Sequence, residues 1–337
     1  MTNQNGHHID RRLSVAPMMD WTDQHCRFFL RLVAPDALLF TEMVTADAII
    51  HGDCERLLGH DLAEHPLALQ LGGSDPEKLA KAARIAMDYG FAEINLNVGC
   101  PSDRVQSGRF GACLMAEPAL VAECCTAMAS VAGGFDVPVS VKCRIGIDDM
   151  DSESGLDAFA SAVGNAGVTL LYVHARKAWL NGLSPKENRD IPPLDYDRVK
   201  RLVGAFPDID IHINGGIVTL ETAQELAPHF AGMMLGRAAY KTPMILTHIA
   251  YDVFGTSPPS RADIAASMAD YADIKTAAGV PLHSITRHML GLYNGQRGAR
   301  LWRRCLGEEA RLRSADGGQL IRETAATCEA IAAQLAA

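Results

Sequence analysis

The sequence lacks three features that would define its class at once: paired cysteines, a long apolar run and an excess of positive charge. Its nine cysteines are scattered without any C-x-x-C pair. Neither a disulfide framework nor a zinc site with the usual ligand spacing is therefore indicated, and no metal is expected. The polar start, MTNQNGHHIDRR, has no signal-peptide core, and no apolar run approaches the length that spans a bilayer. A cytoplasmic protein without a membrane partner is predicted.

The charge balance is acidic. The 337 residues carry a formal net charge of −9, with a pI of about 5.7. This disfavours a protein coated with positive charge for nucleic acid, although it leaves a local patch open. Hydrophobic residues make up 48% of the chain and charged residues 21%, as in ordinary globular proteins. The length favours one large domain with an appendage.

Eight short apolar runs alternate with segments of helical periodicity. Such alternation predicts a parallel sheet, and eight units in about 250 residues match the closed (β/α)8 TIM barrel. An open doubly wound sheet is the alternative. Polar residues end nearly every run, which favours a barrel because it gathers all strand ends around one mouth. The runs are LSVAP (13–17), LLFTEMV (38–44), LALQLGG (67–73), EINLNVG (93–99), PVSVKCR (138–144), TLLYVHA (169–175), DIHINGG (210–216) and AGMMLGR (231–237).

The residue pattern of the sequence changes after VFGTSPPSR (253–261). This Pro/Ser-rich stretch is typical of a linker, and the segments beyond it have helical periodicity without a strand pattern. We predict a catalytic barrel over residues 1–255 and a small all-helical domain over residues 256–337.

Glycines follow the last two predicted strands. Asn214-Gly215-Gly216 comes after the seventh strand and Gly236-Arg237 after the eighth. In barrels of this kind the loops after these strands often bind phosphate, because glycine lets backbone N–H groups approach the anion. Arg237 would add a charge-assisted contact. The alternative is that both pairs are simply tight turns.

Lys142 and His174 each stand near the end of an apolar strand. A lysine in a barrel mouth is unfavourable unless it meets an anion or an electron-rich ring. A strand-end histidine alone is more often a structural residue, but beside Lys142 and a phosphate site the pair fits the pyrimidine edge of a flavin. Gln70 can donate and accept, as recognition of that edge requires; the alternative for Gln70 is a capping or turn amide.

Cys100 follows a strand with asparagines at alternate positions, in the stretch NLNVGCPS (95–102). A free cysteine is often simply buried. At a catalytic mouth, however, a thiol can donate a proton as a general acid, or act as a nucleophile if its pKa is depressed. The downstream loop GRFGACLM (108–115) contains two glycines and is suited to act as a lid. Cys113 within that loop is the competing thiol.

Together these motifs resemble the flavin-dependent tRNA-dihydrouridine synthases. The resemblance extends over nearly all of the barrel, from Ala16-Pro17-Met18-Met19 to Gly236-Arg237, and continues more loosely into the helical domain. The block HARKAWLNGLSPKENR is similar to the A subfamily in particular. The motifs that carry the resemblance are NLNVGCPS, GRFGACLM, VKCRIGID, HARKAWLNGLSPKENRDIPPLDY and INGGI.

The resemblance implies a reaction and a cofactor. NADPH would reduce FMN, hydride would pass from the flavin N5 to C6 of a uridine, and Cys100 would protonate C5. Asn97 would hold substrate or flavin at the mouth. The implied targets are uridines 20 and 20a of the D-loop, reached by base extrusion. The residues implied to contact FMN are Pro17, Met18, Met19, Gln70, Lys142, His174, Asn214, Gly215, Gly216, Gly236 and Arg237.

Positive charge is concentrated in the predicted helical domain. The stretch from Arg287 to Arg313 contains seven arginines and two glutamates, a local charge balance of +5. A solvated helix face is the ordinary explanation. The segment GQRGARLWRR, however, interleaves glycine, tryptophan and arginine as a surface that grips phosphates and bases would. The predicted tRNA contacts are Arg297 and Arg300 in this segment, Lys186 and Arg189 on the barrel rim, and Asn97.

Two rival functions stay open from the residues alone. A flavin barrel that acts on a free pyrimidine would share the phosphate site, but it would have no use for an arginine-rich appendage. A tRNA-binding protein without turnover could dispense with Cys100 and with a reducible flavin. We expect a monomer.

Overall fold

The computed structural model describes residues 9–102, 105–106, 108–313 and 317–334. The polar start of the chain, at residues 1–8, lies outside this range.

The described chain divides into two compact units. The barrel unit contains the residues up to Met19 together with Ala37–Gly236, and the helical unit contains Asp20–Asp36 together with the chain from Arg237 onward. The helical unit therefore takes in two segments that the sequence analysis assigned to the barrel. The functional division at residue 255 stays a prediction.

Eight parallel strands close the barrel in chain order, with β8 paired to β1. This confirms the (β/α)8 TIM barrel and excludes the open sheet. The strands are buried almost throughout, as expected where both faces of a parallel sheet are covered. They are β1 (Leu13–Val15), β2 (Leu38–Thr45), β3 (Leu67–Gly72), β4 (Glu93–Val98), β5 (Val139–Arg144), β6 (Leu170–His174), β7 (Asp210–Asn214) and β8 (Gly232–Leu235), each overlapping a predicted run.

The helices between the strands begin at residues suited to cap them. Asp75 accepts hydrogen bonds from the backbone N–H groups of Glu77 and Lys78, and Thr219 caps a later helix in the same way. Short 3-10 helices occur at Leu62–Glu64, Gly111–Ala116, Gly133–Phe135, Glu187–Arg189 and Ala227–His229. The α-helices described in this unit are Ala46–His51, Cys54–Leu58, Pro76–Met87, Pro118–Ala132, Ser154–Asn165, Tyr196–Ala205 and Leu220–Leu226.

The two-residue period of a strand decides which side chains enter the barrel. In β4, Glu93, Asn95 and Asn97 share one face, while the intervening residues are apolar. Glu93 accepts a hydrogen bond from Tyr172 of β6, two strands away. A hydrogen bond between side chains of β4 and β6, which are not adjacent strands, must cross the inside of the barrel. This face of β4 is therefore the interior one. The alternate asparagines therefore line the inside of the barrel rather than its outer core.

The second unit is helical, as predicted for the C-terminal region. A coil at 255–260, at the predicted linker, separates Met244–Phe254 from Arg261–Ala277. A π-helical turn lies at Cys305–Glu309. The α-helices are Gln24–Val33, Arg237–Lys241, Met244–Phe254, Arg261–Ala277, Leu282–Thr286, Ala299–Arg304, Ala310–Leu312 and Gln319–Ala333.

Trp302 is an interior residue of the helical unit. It has no exposed surface, its Nε1 donates to the carbonyl of Met289 at 2.7 Å, and its ring lies 4.6 Å from that of Tyr293. The interpretation of GQRGARLWRR as a surface whose tryptophan contacts bases is therefore wrong. Arg297 and Arg300 of the same segment are exposed.

One stretch, Pro118–Phe135, is long and apolar enough to cross a membrane by length and composition. This corrects the expectation that the chain has no such run. The helix that begins it buries Val121, Cys125 and Met128. It follows β4 and precedes β5, where the barrel requires a helix. The core helix of a barrel passes the same test, so length and composition alone do not make this stretch a membrane span.

His212 in β7 makes the stability of the barrel depend on pH. The side chain is buried, and neither ring nitrogen has a hydrogen-bond partner among the described residues. Burial, reinforced by the charge of Arg11, lowers its pKa to about 4. Between pH 4 and 6.5 the unfolded chain therefore binds more protons than the folded chain. The free energy of unfolding should fall as the pH falls through this window, by up to about 3 kcal/mol.

Urea unfolding at pH 5 and pH 7 measures this effect. His212→Leu should lose about half of the difference between the two pH values, because burial lowers the pKa of His25 to about 4 as well. His248→Leu, at an exposed position, should keep the whole difference. If His212→Leu retains the full difference, other groups cause the pH dependence.

Candidate active site

The carboxyl ends of β5, β6 and β7 bring three predicted residues together. In the strand register Arg144 lies opposite His174, and His174 lies opposite Asn214. The Nζ of Lys142 donates to Oδ1 of Asn214 at 3.1 Å. This bond skips β6, so both side chains lie inside the barrel mouth. The Nδ2 of Asn214 donates to the carbonyl of Met234 at 2.7 Å, which fixes the orientation of the amide.

The mouth carries uncompensated positive charge. Burial, followed by repulsion from Arg144, lowers the pKa of Lys142 to about 8. Burial also lowers the pKa of Arg144 to about 10, with Arg189 and Arg176 acting in the same direction. Within the part of the chain that the structure describes, neither Lys142 nor Arg144 has a carboxylate partner. Two poorly solvated cations at one mouth suit an anionic or electron-rich ligand.

Gly215 and Gly216, at the end of β7, leave room for the side chains of His174 and Leu194. Their φ angles of +106° and +72° lie in the left-handed region that favours glycine. A Cβ on Gly215 would stand 2.4 Å from Cδ2 of His174, and one on Gly216 would stand 2.4 Å from Cδ1 of Leu194. The hydroxyl of Tyr196 donates to the carbonyl of Gly215 at 2.7 Å. The double glycine is therefore required by the packing of the mouth, whatever it binds.

The ends of β8 and β1 are neighbours, because these strands pair and the N–H of Ala16 donates to the carbonyl of Leu235 at 2.8 Å. Gly236 has open space beside its Cα, the nearest atom to an added Cβ being that of Ala16 at 4.0 Å. Met19 is 55% exposed, and Pro17 and Met18 are partly exposed. Arg237 begins the helix Arg237–Lys241 and belongs to the helical unit.

Gln70 and Asn97 are joined to each other. The Nδ2 of Asn97 donates to Oε1 of Gln70 at 2.7 Å, and Nε2 of Gln70 donates to Oδ1 of Asn95 at 2.8 Å. Both side chains are buried. Gln70 is thus part of an internal network and not the turn amide of the alternative interpretation.

The turn that carries Cys100 is held from three sides. Oδ1 of Asn97 accepts hydrogen bonds from the N–H groups of Gly99 at 3.1 Å and Cys100 at 3.0 Å. The Nε of Arg144 donates to the carbonyl of Gly99 at 3.0 Å, and the N–H of Ala112 donates to the carbonyl of Cys100 at 2.9 Å. Cys100 is partly exposed. Its charged form raises the pKa of both Lys142 and Arg144, so the thiol lies at the same mouth.

Arg144 is the residue of this site that the sequence analysis missed. Besides Gly99, its guanidinium donates to the carbonyls of Lys177 at 3.1 Å and Asn188 at 2.9 Å. It thereby ties the Cys100 turn to the loop after β6. The signal was its position two residues after Lys142, which places both on the interior face of β5.

The four predicted basic contacts belong to different units. Lys186 and Arg189 are exposed in the loop after β6, which the buried Asn188 holds through its bonds to Trp179 and Leu183. Arg297 and Arg300 are exposed in the helical unit. In each case a charge is presented to solvent.

Comparison with known proteins gives a consistent result. The Dihydrouridine synthase (Dus) family matches residues 14–331. A tRNA-dihydrouridine(20/20a) synthase of Vibrio parahaemolyticus serotype O3:K6 is 55% identical over 302 residues, 89% of this chain and 91% of that protein. The protein of the same name from Xanthomonas campestris pv. campestris is 51% identical over 326 residues, 97% and 96% of the two chains. That of Escherichia coli (strain K12) is 53% identical over 312 residues, 92% and 89%.

Among solved structures, the old yellow enzyme homologue from Zymomonas mobilis is similar with a TM-score of 0.52 and 13% identity, covering 74% of this chain and 90% of that chain. At this identity the likeness concerns the fold alone.

Proposed function

Because the chain belongs to the dihydrouridine synthase family of flavin-dependent oxidoreductases, we propose that it reduces uridines 20 and 20a of tRNA to dihydrouridine. The observation that carries the proposal is the shared mouth of Cys100, Lys142 and Asn214. FMN as the flavin, NADPH as its reductant and the D-loop as the site of action are parts of the proposal. A cytoplasmic location and a monomeric state belong to it as further predictions.

The residues of the mouth suit FMN. Lys142 is a poorly solvated cation whose only described hydrogen-bond partner is an amide oxygen, and Gly236 leaves open space beside its backbone. An electron-rich ring edge near Lys142 and a phosphate near the glycines would use both features. We assign the ring to Gln70, Lys142 and His174, the adjoining loop contacts to Pro17, Met18 and Met19, and the phosphate to Asn214, Gly215, Gly216, Gly236 and Arg237.

The flavin, when bound and reduced, supplies a hydride to C6 of the uracil. The chain supplies the proton: the Cys100 thiol donates to C5, so that hydride and proton together add two hydrogens across one double bond. The sulfur left behind lies within the electrostatic reach of Lys142 and Arg144. Solvent then returns a proton to the partly exposed sulfur. Cys100 therefore acts as the general acid.

The tRNA must deliver one base into the mouth while its backbone stays outside, which requires extrusion of the target uridine. Lys186, Arg189, Arg297 and Arg300 offer exposed charges for the phosphates. Asn97 has a narrower part in substrate binding. Its oxygen accepts two backbone hydrogen bonds, and one N–H donates to Gln70. Counting only partners in the described part of the chain, one N–H is left for the uracil or the flavin.

Mass spectrometry of tRNA digests tests the proposal. Incubation of unmodified tRNA with the purified protein, FMN and NADPH should add two hydrogens to uridines 20 and 20a. Free uridine in the same assay tests the rival function and should remain unchanged. If reduction occurs only on the free nucleoside, or on neither substrate, the proposal fails.

Arg297 and Arg300 should contribute to tRNA affinity and not to flavin content. Both are exposed, and neither has an ion-pair partner within the described ranges. Replacing both with alanine should reduce the slope of log affinity against log salt by about 2, because each phosphate contact releases about one counterion. Filter binding at several salt concentrations measures the slope.

Arg322→Ala is the matched control. Arg322 is also an exposed arginine of the helical unit, but Asp270 and Asp273 already neutralise it. Its removal should leave the slope unchanged. If the double variant has the slope of the unmodified chain, tRNA does not contact this segment.

A further inference from the structure

A continuous chain of hydrogen bonds runs through the barrel interior to the Cys100 turn. It begins at Glu93, whose Oε2 accepts from Nε of Arg11 at 2.7 Å and from the hydroxyl of Tyr172 at 3.3 Å. Oε1 of Glu93 accepts from the hydroxyl of Ser140 at 2.6 Å. The Ser140 oxygen in turn accepts from Nδ2 of Asn95 at 2.7 Å. From Asn95 the chain continues through Gln70 and Asn97 to the backbone.

The carboxylate fixes the direction of every bond in this chain. Glu93 pairs with the Arg11 guanidinium and can only accept. Ser140 has a single proton, which goes to Glu93, so its oxygen must accept from the NH2 group of Asn95. The oxygen of Asn95 then faces Gln70, whose NH2 group must donate to it.

The hydrogen bonds at the Asn97 end of this network require the same donor-to-acceptor direction. The oxygen of Gln70 accepts from the NH2 group of Asn97, which turns the oxygen of Asn97 toward the N–H groups of Gly99 and Cys100. Reversing any one amide would oppose two donors at one contact and two acceptors at the next. Such a mismatch is costly where no water can compensate, and Glu93, Asn95, Ser140 and Gln70 are all buried.

We propose that Ser140 and Asn95, oriented by Glu93, are positioning residues for the catalytic turn: they hold the Asn97 amide in the one orientation that binds the backbone N–H groups of Gly99 and Cys100. The expected effect on uridine reduction rests on the function proposed above, but the effect on the turn does not. A purely structural role would lower stability without a local effect at the turn.

Ser140→Ala removes the link between Glu93 and Asn95. The backbone amides of Gly99 and Cys100 should then exchange their hydrogens about tenfold faster. Mass spectrometry of the flavin-loaded enzyme, on peptides that cover residues 95–102, measures this exchange. Turnover of tRNA should fall with KM for tRNA unchanged, because the thiol is displaced while the RNA contacts persist. Ser140→Thr keeps the hydroxyl and should restore both quantities.

Ser14→Ala is the matched control. Ser14 is equally buried in a strand of the same barrel, and among the described residues its hydroxyl donates only to the carbonyl of Met233. It should change neither the exchange at the turn nor turnover. Glu93→Gln serves as a second variant if Ser140→Ala does not fold, since an amide at 93 no longer forces Ser140 to donate.

The inference is overturned if Ser140→Ala and Glu93→Gln lower stability while exchange at Gly99 and Cys100 stays as in Ser14→Ala. If the unaltered protein reduces no tRNA but Ser140→Ala still loosens the turn, the proposed function fails and the positioning role stands.

Discussion

Cys100→Ala should reduce the rate of uridine reduction by about 10²- to 10⁴-fold, the usual contribution of a positioned general acid. Hydride addition at C6 leaves a basic carbon at C5, and alanine offers it no proton. Flavin content and tRNA affinity should stay unchanged, because Asn97 and Arg144 bind the backbone of this turn and not the side chain of Cys100. Single-turnover reduction of tRNA by the prereduced enzyme isolates the step.

Cys113→Ala is the matched control for this prediction. Cys113 is a second partly exposed thiol near the mouth loops, but it donates to the carbonyl of Phe110, and burial raises its pKa. Its loss should change the rate less than about twofold, as expected of a residue outside the reaction. Equal rates in Cys100→Ala and the unmodified enzyme would assign the proton to another group.

Lys142→Met should have opposite effects on flavin binding and on stability. Loss of a charge-assisted contact should weaken flavin binding by about 10- to 100-fold. The flavin-free protein should become more stable by about 2 kcal/mol, since a poorly solvated cation is replaced by an apolar side chain of similar length. Fluorescence titration and urea unfolding measure the two quantities separately.

The lowered pKa of Lys142 adds a pH signature. Because it is about 8 in the flavin-free protein, the cation is present below pH 8 and is lost above it. Flavin affinity should therefore decline between pH 8 and 9.5, by up to about tenfold per pH unit, and Lys142→Met should not decline. Lys81→Met, at an exposed position on a barrel helix, is the control. If Lys142→Met keeps both the flavin affinity and its pH dependence, Lys142 does not belong to the flavin site.

The barrel could be predicted because its signal is local. Each strand is a short apolar run between polar segments, and burial on both faces of a parallel sheet requires such a run. The same locality exposed Lys142 and His174, which interrupt apolar strands at their ends. The double glycine after β7 was visible for the same reason.

What the sequence did not reveal depends on partners far along the chain. The bonds of Arg144 reach Gly99, 45 residues away, and Asn188, 44 residues away. The alternate asparagines of β4 were visible in the sequence, but Ser140, the partner of Asn95, lies 45 residues away on β5. Trp302 was misread because an aromatic residue among arginines has the same local pattern whether it is buried or exposed.

The interior face of β4 also links catalysis to folding. A slip of this strand by one residue would turn Glu93, Asn95 and Asn97 to the outside of the barrel. The thiol turn therefore depends on the correct alignment of three neighbouring strands, and on a partner contributed by a fourth. We expect the Cys100 turn to form only when the barrel closes. Newly synthesised, incompletely folded chains should therefore not react with RNA.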